Sequence, residues 1–328
     1  MSELASQPSD GRPTVRTTHT VDVDAPADDV YALVADVTRW PYTFDPTVHA
    51  EVLWTDRVGE RLRLWAFANG DVRTWTSRRS LDPDARNVGF EQEVPAEPVL
   101  SMGGEWRIDP LSADRSRVEL LHDYTAATAE AEQLIARAVD TNSTAELTAL
   151  KWAAELGAAY SAEGVVLDFT DEVEIHAGPE QVYEFLRDGA AWPNRLPHVA
   201  RLELTEDVPD LQLMVMDTAT PDGSVHTTES VRVCRPQQWT IAYKQTVTPA
   251  LMRAHVGRWT ITPRPDGVTA ASRHIVVLRP EKIAELLGPD VDLAQARALV
   301  RARLGANSTT TLRHAKAFAE AAAGGVAA

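Results

Sequence analysis

The chain has 328 residues, 44% of them hydrophobic and 24% charged, with a formal net charge of −16 at pH 7; this is material for two ordinary domains. The acidic balance excludes a nucleic-acid partner, which needs a basic surface, and the single cysteine, Cys234, excludes an intrachain disulfide and a thiolate zinc site. No apolar run approaches a membrane span and the opening MSELASQPSDGRPTV lacks a signal-peptide core, so residues 1–14 are expected to be a disordered tail and the protein soluble and cytoplasmic.

In chain order, the alternating Thr17–Val23 segment predicts a strand. Ala25-Pro26-Ala27-Asp28-Asp29 then opens a short helix, with proline and acids where a first turn tolerates them, and that helix is expected to end before Trp40-Pro41. Short alternating segments follow at Val48–Trp54, Arg61–Phe67, Asp71–Leu81, Asn87–Glu93, Gly103–Asp109 and Arg117–Thr125, separated by turn residues such as Asp82-Pro83-Asp84, as in an antiparallel meander. A long alanine-rich helix covers Ala129–Ala159, with Leu134, Ile135, Leu147, Leu150 and Leu156 expected to face the core.

The same order then repeats. Val30-Tyr31 and Trp40-Pro41 recur 152 residues later as Val182-Tyr183 and Trp192-Pro193. Val72-x-Thr74-x-x-Ser77-x-Arg79 recurs at an offset of 153 as Val225-x-Thr227-x-x-Ser230-x-Arg232, as does Gly104-x-Trp106 in Gly257-x-Trp259. Asn142-Ser143-Thr144-x-x-Leu147-x-x-x-Lys151 recurs at an offset of 165 as Asn307-Ser308-Thr309-x-x-Leu312-x-x-x-Lys316, the added length falling in an insertion around Pro280–Leu293. Five matches in one order mark a tandem duplication, with domains at 15–161 and 162–328 and a junction near Ser161–Gly164. The second half ends in a helix from Leu293 to Ala322. Each half is expected to be α+β, a curved antiparallel sheet around one long helix, with a pocket on the concave face.

Within Asp71–Leu81, Trp75, Ser77 and Arg79 share one face, which is not the apolar stripe of an ordinary half-buried strand. Either Arg79 points to solvent beside a core tryptophan, or all three line the pocket; recovery of Ser-x-Arg at Ser230 and Arg232 favours the pocket. His226 shares a face with Thr228, Ser230 and Arg232, and His255 lies on a later strand; both are candidate proton movers. In the first half only His49 and His122 are comparable, and Asp123 next to His122 points to the opposite face. Gly103-Gly104 marks a bulge or close packing. Asn142-Ser143-Thr144 is either a helix cap or kink, or a polar group projecting into the pocket. There is no nucleophile elbow, phosphate loop or HExxH motif, so the expected chemistry uses neither metal nor other cofactor.

Through Trp40-Pro41, Trp75-Thr76-Ser77-Arg78-Arg79, Gly104-Glu105-Trp106 and Asn142-Ser143-Thr144, the chain resembles the polyketide cyclase/dehydrase proteins of the START-like helix-grip fold, above all the two-domain aromatase/cyclases of bacterial aromatic (type II) polyketide pathways. The resemblance implies a tandem pair of helix-grip domains that cyclise, dehydrate and aromatise the first ring of a ketoreduced poly-β-ketone carried on an acyl carrier protein, beside the ketosynthase and ketoreductase of the same pathway. It implies catalytic roles for Arg79 and Ser77 and their counterparts Arg232 and Ser230. Substrate contact falls on Trp75, Trp40, Trp106 and Asn142, and on Thr228, Trp192, Trp259 and Asn307. Some single-domain relatives carry an arginine on the next strand; here that region holds Glu93 and Thr246. The alternative is a non-catalytic START-like carrier of an apolar small molecule, in which interior guanidinium groups would have little use.

Overall fold

The computed structural model describes residues 12–57, 59–219 and 223–325. Most of the expected N-terminal tail (residues 1–11) lies outside the described residues. After Gly157 the chain divides into two compact units, with the expected junction at Ser161–Gly164 in the turn that follows.

The first unit runs β1 (Val15–Val23), α1 (Ala27–Ala35), α2 (Trp40–Thr43), β2 (Thr47–Thr55), β3 (Gly59–Ala68), β4 (Asp71–Asp82), β5 (Asn87–Val94), β6 (Val99–Ser112), β7 (Arg115–Ala126) and α3 (Ala129–Glu155). Its seven strands form one antiparallel sheet in the order β1-β7-β6-β5-β4-β3-β2, a meander whose first strand closes onto its last. Trp40-Pro41 does not simply follow a helix. Pro41 sits in the first turn of α2, where its missing N–H leaves no bond unmade.

The long helix α3 starts at Thr128, whose Oγ1 accepts from the Ala131 N–H at 3.1 Å, with Glu130 and Glu132 in the first turn. Ile135, Val139, Ser143, Leu147 and Leu150 form its buried face. Leu134, expected to face the core, is 43% exposed.

The second unit repeats this plan with β8 (Val166–Ile175), α4 (Pro179–Arg187), α5 (Trp192–Arg195), β9 (Val199–Val208), β10 (Leu211–Ala219), β11 (Val225–Arg235), β12 (Thr240–Val247), β13 (Met252–Arg264), β14 (Gly267–Leu278), α6 (Ile283–Leu287) and α7 (Leu293–Gly325), in sheet order β8-β14-β13-β12-β11-β10-β9. The insertion holds α6, and Ile283, Leu287, Val291 and Leu293 pack with Leu251, Met252 and Val300 as a satellite core of this unit.

Several repeated residues have structural work that explains their spacing. Lys151 on α3 donates to the Asp22 carbonyl at 2.7 Å, and Lys316 on α7 to the Glu174 carbonyl at 2.8 Å, tying each long helix to its unit's first strand. Gly104 and Gly257 permit close packing: a Cβ would lie 2.0 Å from the Leu121 carbonyl oxygen in one unit and 2.3 Å from the Tyr243 hydroxyl in the other.

Candidate active site

A cavity of about 390 Å³ lies in the first unit between the concave face of the sheet and α3. Strand β4 runs along it: Asp71, Arg73, Trp75, Ser77 and Arg79, alternate residues of one face, all line the wall. Asp71 and Arg73 are exposed, as are Glu97 and Leu134 beside them in the lining, and they mark the open end. Ser77, Arg79, Trp40 and Trp106 are buried and mark the closed end. Alternation is broken by charge at the deep end because these side chains face an interior space and not a packed core.

Arg79 lines the cavity, but most of its fork is already engaged. Its Nη2 donates to the carbonyl oxygens of Val34 and Ala35 at 3.0 and 2.9 Å, the last turn of α1, and its Nη1 lies 3.3 Å from Glu60. The guanidinium sits 4.9 Å from the Trp40 ring centroid, and the Trp40 indole N–H donates to the same Val34 oxygen at 3.1 Å. Only Nε is buried with no partner. Burial lowers the Arg79 pKa to about 10, opposed by Glu60 and Tyr31, so it stays charged at neutral pH. A cation on the C-terminal carbonyls of a helix is favourable, so Arg79 first serves to fix α1 and Trp40. Its Nη2 and Nη1 are engaged by the α1 carbonyls and by Glu60, and Nε is the donor left for another partner.

Two groups facing the cavity carry ordinary acid–base chemistry, and amides stand beside them. Burial pushes the Glu146 carboxyl of α3 up to about 8, with no cation or donor opposing the shift, so it is protonated at pH 7. Burial lowers His122 of β7 to about 4, so its imidazole is neutral. Gln92 of β5, paired in register with Ser77, adds an amide. Asn142 also lines the cavity and donates to the Phe67 carbonyl at 2.8 Å; the Asn142-Ser143-Thr144 run lies within α3 and not at a cap, with Asn142 and Ser143 facing the cavity and Thr144 exposed. A neutral base and a protonated acid on one cavity, pushed apart in pKa by their surroundings, form an acid–base pair.

Glu93, in the β5 region singled out from the sequence, points outward to Arg61 and Arg78. The inward residue is its neighbour Gln92, and the second-unit counterpart is Gln245 in place of Thr246. Gln92 and Gln245 stand 153 residues apart, so the repeat offset itself carried this signal. Glu146 was passed over because a lone glutamate one turn beyond Asn142 looks like any solvated helix residue.

The corresponding region of the second unit holds a hydrogen-bonded cluster of its own side chains. Tyr243, counterpart of Phe90, places its hydroxyl 2.9 Å from His274 Nδ1. His255, counterpart of Met102, lies 3.0 Å from His274 Nδ1 and 2.9 Å from Gln245. Phe169 stacks on the other side of His274 at 4.9 Å, with Arg301 4.1 Å from its own ring. His255 and His274 are buried and both pKa values are lowered by burial, His274 to about 4. His226, a candidate proton mover, is exposed on β11, beyond the buried run of Thr228, Ser230 and Arg232, and does not join the other histidines. Arg232 repeats the Arg79 arrangement, with Nη2 on the Leu186 carbonyl, Nη1 3.4 Å from the Arg187 carbonyl and the guanidinium 5.1 Å from Trp192. Trp192 and Trp259 belong to the apolar core of this unit, and Asn307 sits half-buried on α7.

The fold and cavity define a class: a tandem helix-grip protein with a polar, acid–base pocket in its first unit. Residues 23–145 and 166–318 each match a family model described as polyketide cyclase/dehydrase and lipid transport, and the chain belongs to that family. It is 45% identical over 314 residues to the granaticin polyketide synthase bifunctional cyclase/dehydratase of Streptomyces violaceoruber, covering 94% of this chain and 96% of that one. It is 42% identical to the actinorhodin polyketide synthase bifunctional cyclase/dehydratase of Streptomyces coelicolor, covering 93% and 96%. Among solved structures it is similar to the di-domain ARO/CYC BexL from the BE-7585A biosynthetic pathway (TM-score 0.83, 48% identity, 93% of this chain and 99% of that one). It is also similar to the di-domain ARO/CYC StfQ from the steffimycin pathway (TM-score 0.81, 37% identity, 94% and 99%). Among the described residues no helix is long and apolar enough to cross a membrane.

Proposed function

We propose that this protein is an aromatase/cyclase of type II aromatic polyketide biosynthesis, acting in its first unit on a ketoreduced poly-β-ketone held by an acyl carrier protein. The observation that carries the reading is the pairing of neutral His122 with protonated Glu146 on one cavity. Loss of water from a β-hydroxy ketone needs both groups. The His122 imidazole takes the proton from the carbon beside the carbonyl, the carbon–carbon double bond forms, and Glu146 gives its proton to the departing hydroxyl, which leaves as water. Trp75 offers a flat surface to the nascent ring, and Ser77, Gln92 and the remaining Arg79 Nε–H are donors for the carbonyl oxygen that gathers charge. The second unit has Tyr243 and His255 in the matching space and no equivalent of the Glu146 acid, since Thr311 stands at that position.

Reconstitution with the minimal synthase, carrier protein and ketoreductase tests this, with product masses compared with and without the protein. Glu146→Gln and His122→Ala should each lower formation of the aromatised product by about 100-fold or more. His274→Gln, if folded, should keep it. Full activity in both first-unit variants overturns the assignment, and a product profile unchanged by the wild-type protein points to a carrier of an apolar molecule instead.

A further inference from the structure

The two units differ in how they satisfy one buried polar seam. In the second unit Ser308 Oγ donates to Asp171 at 3.0 Å, Arg301 pairs with Asp171 at 2.6 Å, and His274 is bonded to Tyr243, His255 and Ser272. The first-unit counterparts of Asp171, Ser308 and His274 are His19, Ser143 and His122, at the offsets of the repeat. There, Thr17 Oγ1, His19 Nδ1, His122 Nδ1 and Ser143 Oγ are all buried atoms with no protein partner.

Strand register and the repeat bring the four residues together. Thr17 faces His122 directly across the β1–β7 pair, and His19 follows two residues along on the same face of β1. The Ser308–Asp171 bond of the twin unit shows that the helix serine reaches this strand position. Phe169, the counterpart of Thr17, fills the same space in the second unit by stacking on His274. Left dry, each orphaned group is destabilising, and buried water with two to four polar partners is the usual remedy. At its outer end the seam meets solvent: His19 Nε2 lies 3.1 Å from Asp140 Oδ1, and the Asp140 side chain is 77% exposed.

We infer that Thr17, Ser143 and His19 hold a short chain of ordered water that connects His122 in the cavity to Asp140 at the surface and returns its proton to solvent after each turnover. The inference rests on His122 acting as the base. In the dehydration His122 gains one proton and Glu146 loses one. The imidazolium releases its Nδ1 proton to the first water, each link passes one proton on through His19, and Asp140 hands it to solvent. Glu146 regains one proton from solvent at the open end of the cavity. One proton leaves and one enters, and a ring flip of each imidazole restores its tautomer, so the enzyme returns to its starting state.

Two measurements on the full-length protein test the relay. With the reconstituted synthase, His19→Gln should lower kcat about tenfold or more with KM little changed, raise the solvent deuterium isotope effect, and recover when imidazole is added. In thermal melts, Thr17→Val and Ser143→Ala should each lower Tm, because the hydroxyl that anchors water is lost; a dry seam gives equal or higher Tm, since an unsatisfied hydroxyl has been removed. Unchanged kcat and isotope effect in His19→Gln, with His122→Ala inactive, overturn the relay alone. Loss of activity in His19→Gln that imidazole does not restore, or Tm unchanged or raised in both hydroxyl variants, also overturns it. Full activity in His122→Ala defeats the underlying reading of the base instead.

Discussion

Arg79 spans from the Ala35 carbonyl, 2.9 Å from its Nη2, to the face of Trp40, 4.9 Å from its guanidinium carbon. Arg232 makes the same span from the Arg187 carbonyl to Trp192, 5.1 Å away. One unit has an open cavity beside this arrangement and the other has Tyr243 and His255 in the matching space. Since the arginine keeps its partners in both settings, the fold itself demands it.

Arg79→Ala and Arg232→Ala should therefore destabilise alike. Each takes the donor from one helix-end carbonyl, Ala35 or Leu186, and empties space beneath a tryptophan, a loss of about 2–4 kcal/mol. Arg79→Lys should recover only part, because an ammonium lacks the fork that bridges two carbonyls. Urea unfolding midpoints check this. An Arg79→Ala protein with a wild-type midpoint would show that the fold does not depend on the guanidinium and that its role is confined to the substrate.

This dual use explains what was and was not legible in the sequence. The duplicated Ser-x-Arg, Trp-Pro and Asn-Ser-Thr motifs placed the strands, the long helices and the cavity wall, because a repeat exposes positions that packing holds fixed. The same signal could not separate a scaffold arginine from a catalytic one, since both recur. Glu146 has the reverse problem: it faces Thr311 across the repeat, so the feature that gives the first unit its acid is a difference between halves, invisible to a search for likeness. Filling of the second unit was hidden too, because Tyr243 and His255 look like ordinary strand residues until His274 brings them together.

The buried histidines make the second unit acid-sensitive. His255 Nε2 lies 3.0 Å from His274 Nδ1, and burial holds His274 at about 4 and His255 well below 6.5. Among nearby charges, Asp171 favours the imidazolium of His274 while Arg301 opposes it. The unfolded chain binds protons near pH 6.5 and the native unit does not, so stability present above pH 6.5 is lost as pH falls towards 4. His274→Gln lowers stability overall but should flatten this slope. Melting temperatures between pH 7 and 4 decide it: parallel curves for variant and wild type would show that these imidazoles do not set the acid limit.

Glu146 should act on stability in the opposite sense. Its native pKa, raised to about 8, lies above the 4.5 of an ordinary glutamate, so between these values the unfolded chain releases a proton that the native protein keeps. Stability from this group is full below pH 4.5 and declines as pH rises through 8. Because the carboxyl borders a cavity that admits solvent, the penalty is only about 1–2 kcal/mol at pH 8, well short of what a dry site would impose. Glu146→Gln, which keeps the shape and removes the ionisation, should thus melt higher than wild type at pH 8 and level with it at pH 4.5. The same variant is expected to lose product formation, so a gain in Tm with a loss of turnover would mark a residue kept for chemistry at the expense of stability. A variant that melts lower than wild type at pH 8 would mean that the carboxyl is ionised and paired there, and the proton donor for water loss would have to be sought elsewhere on the cavity wall.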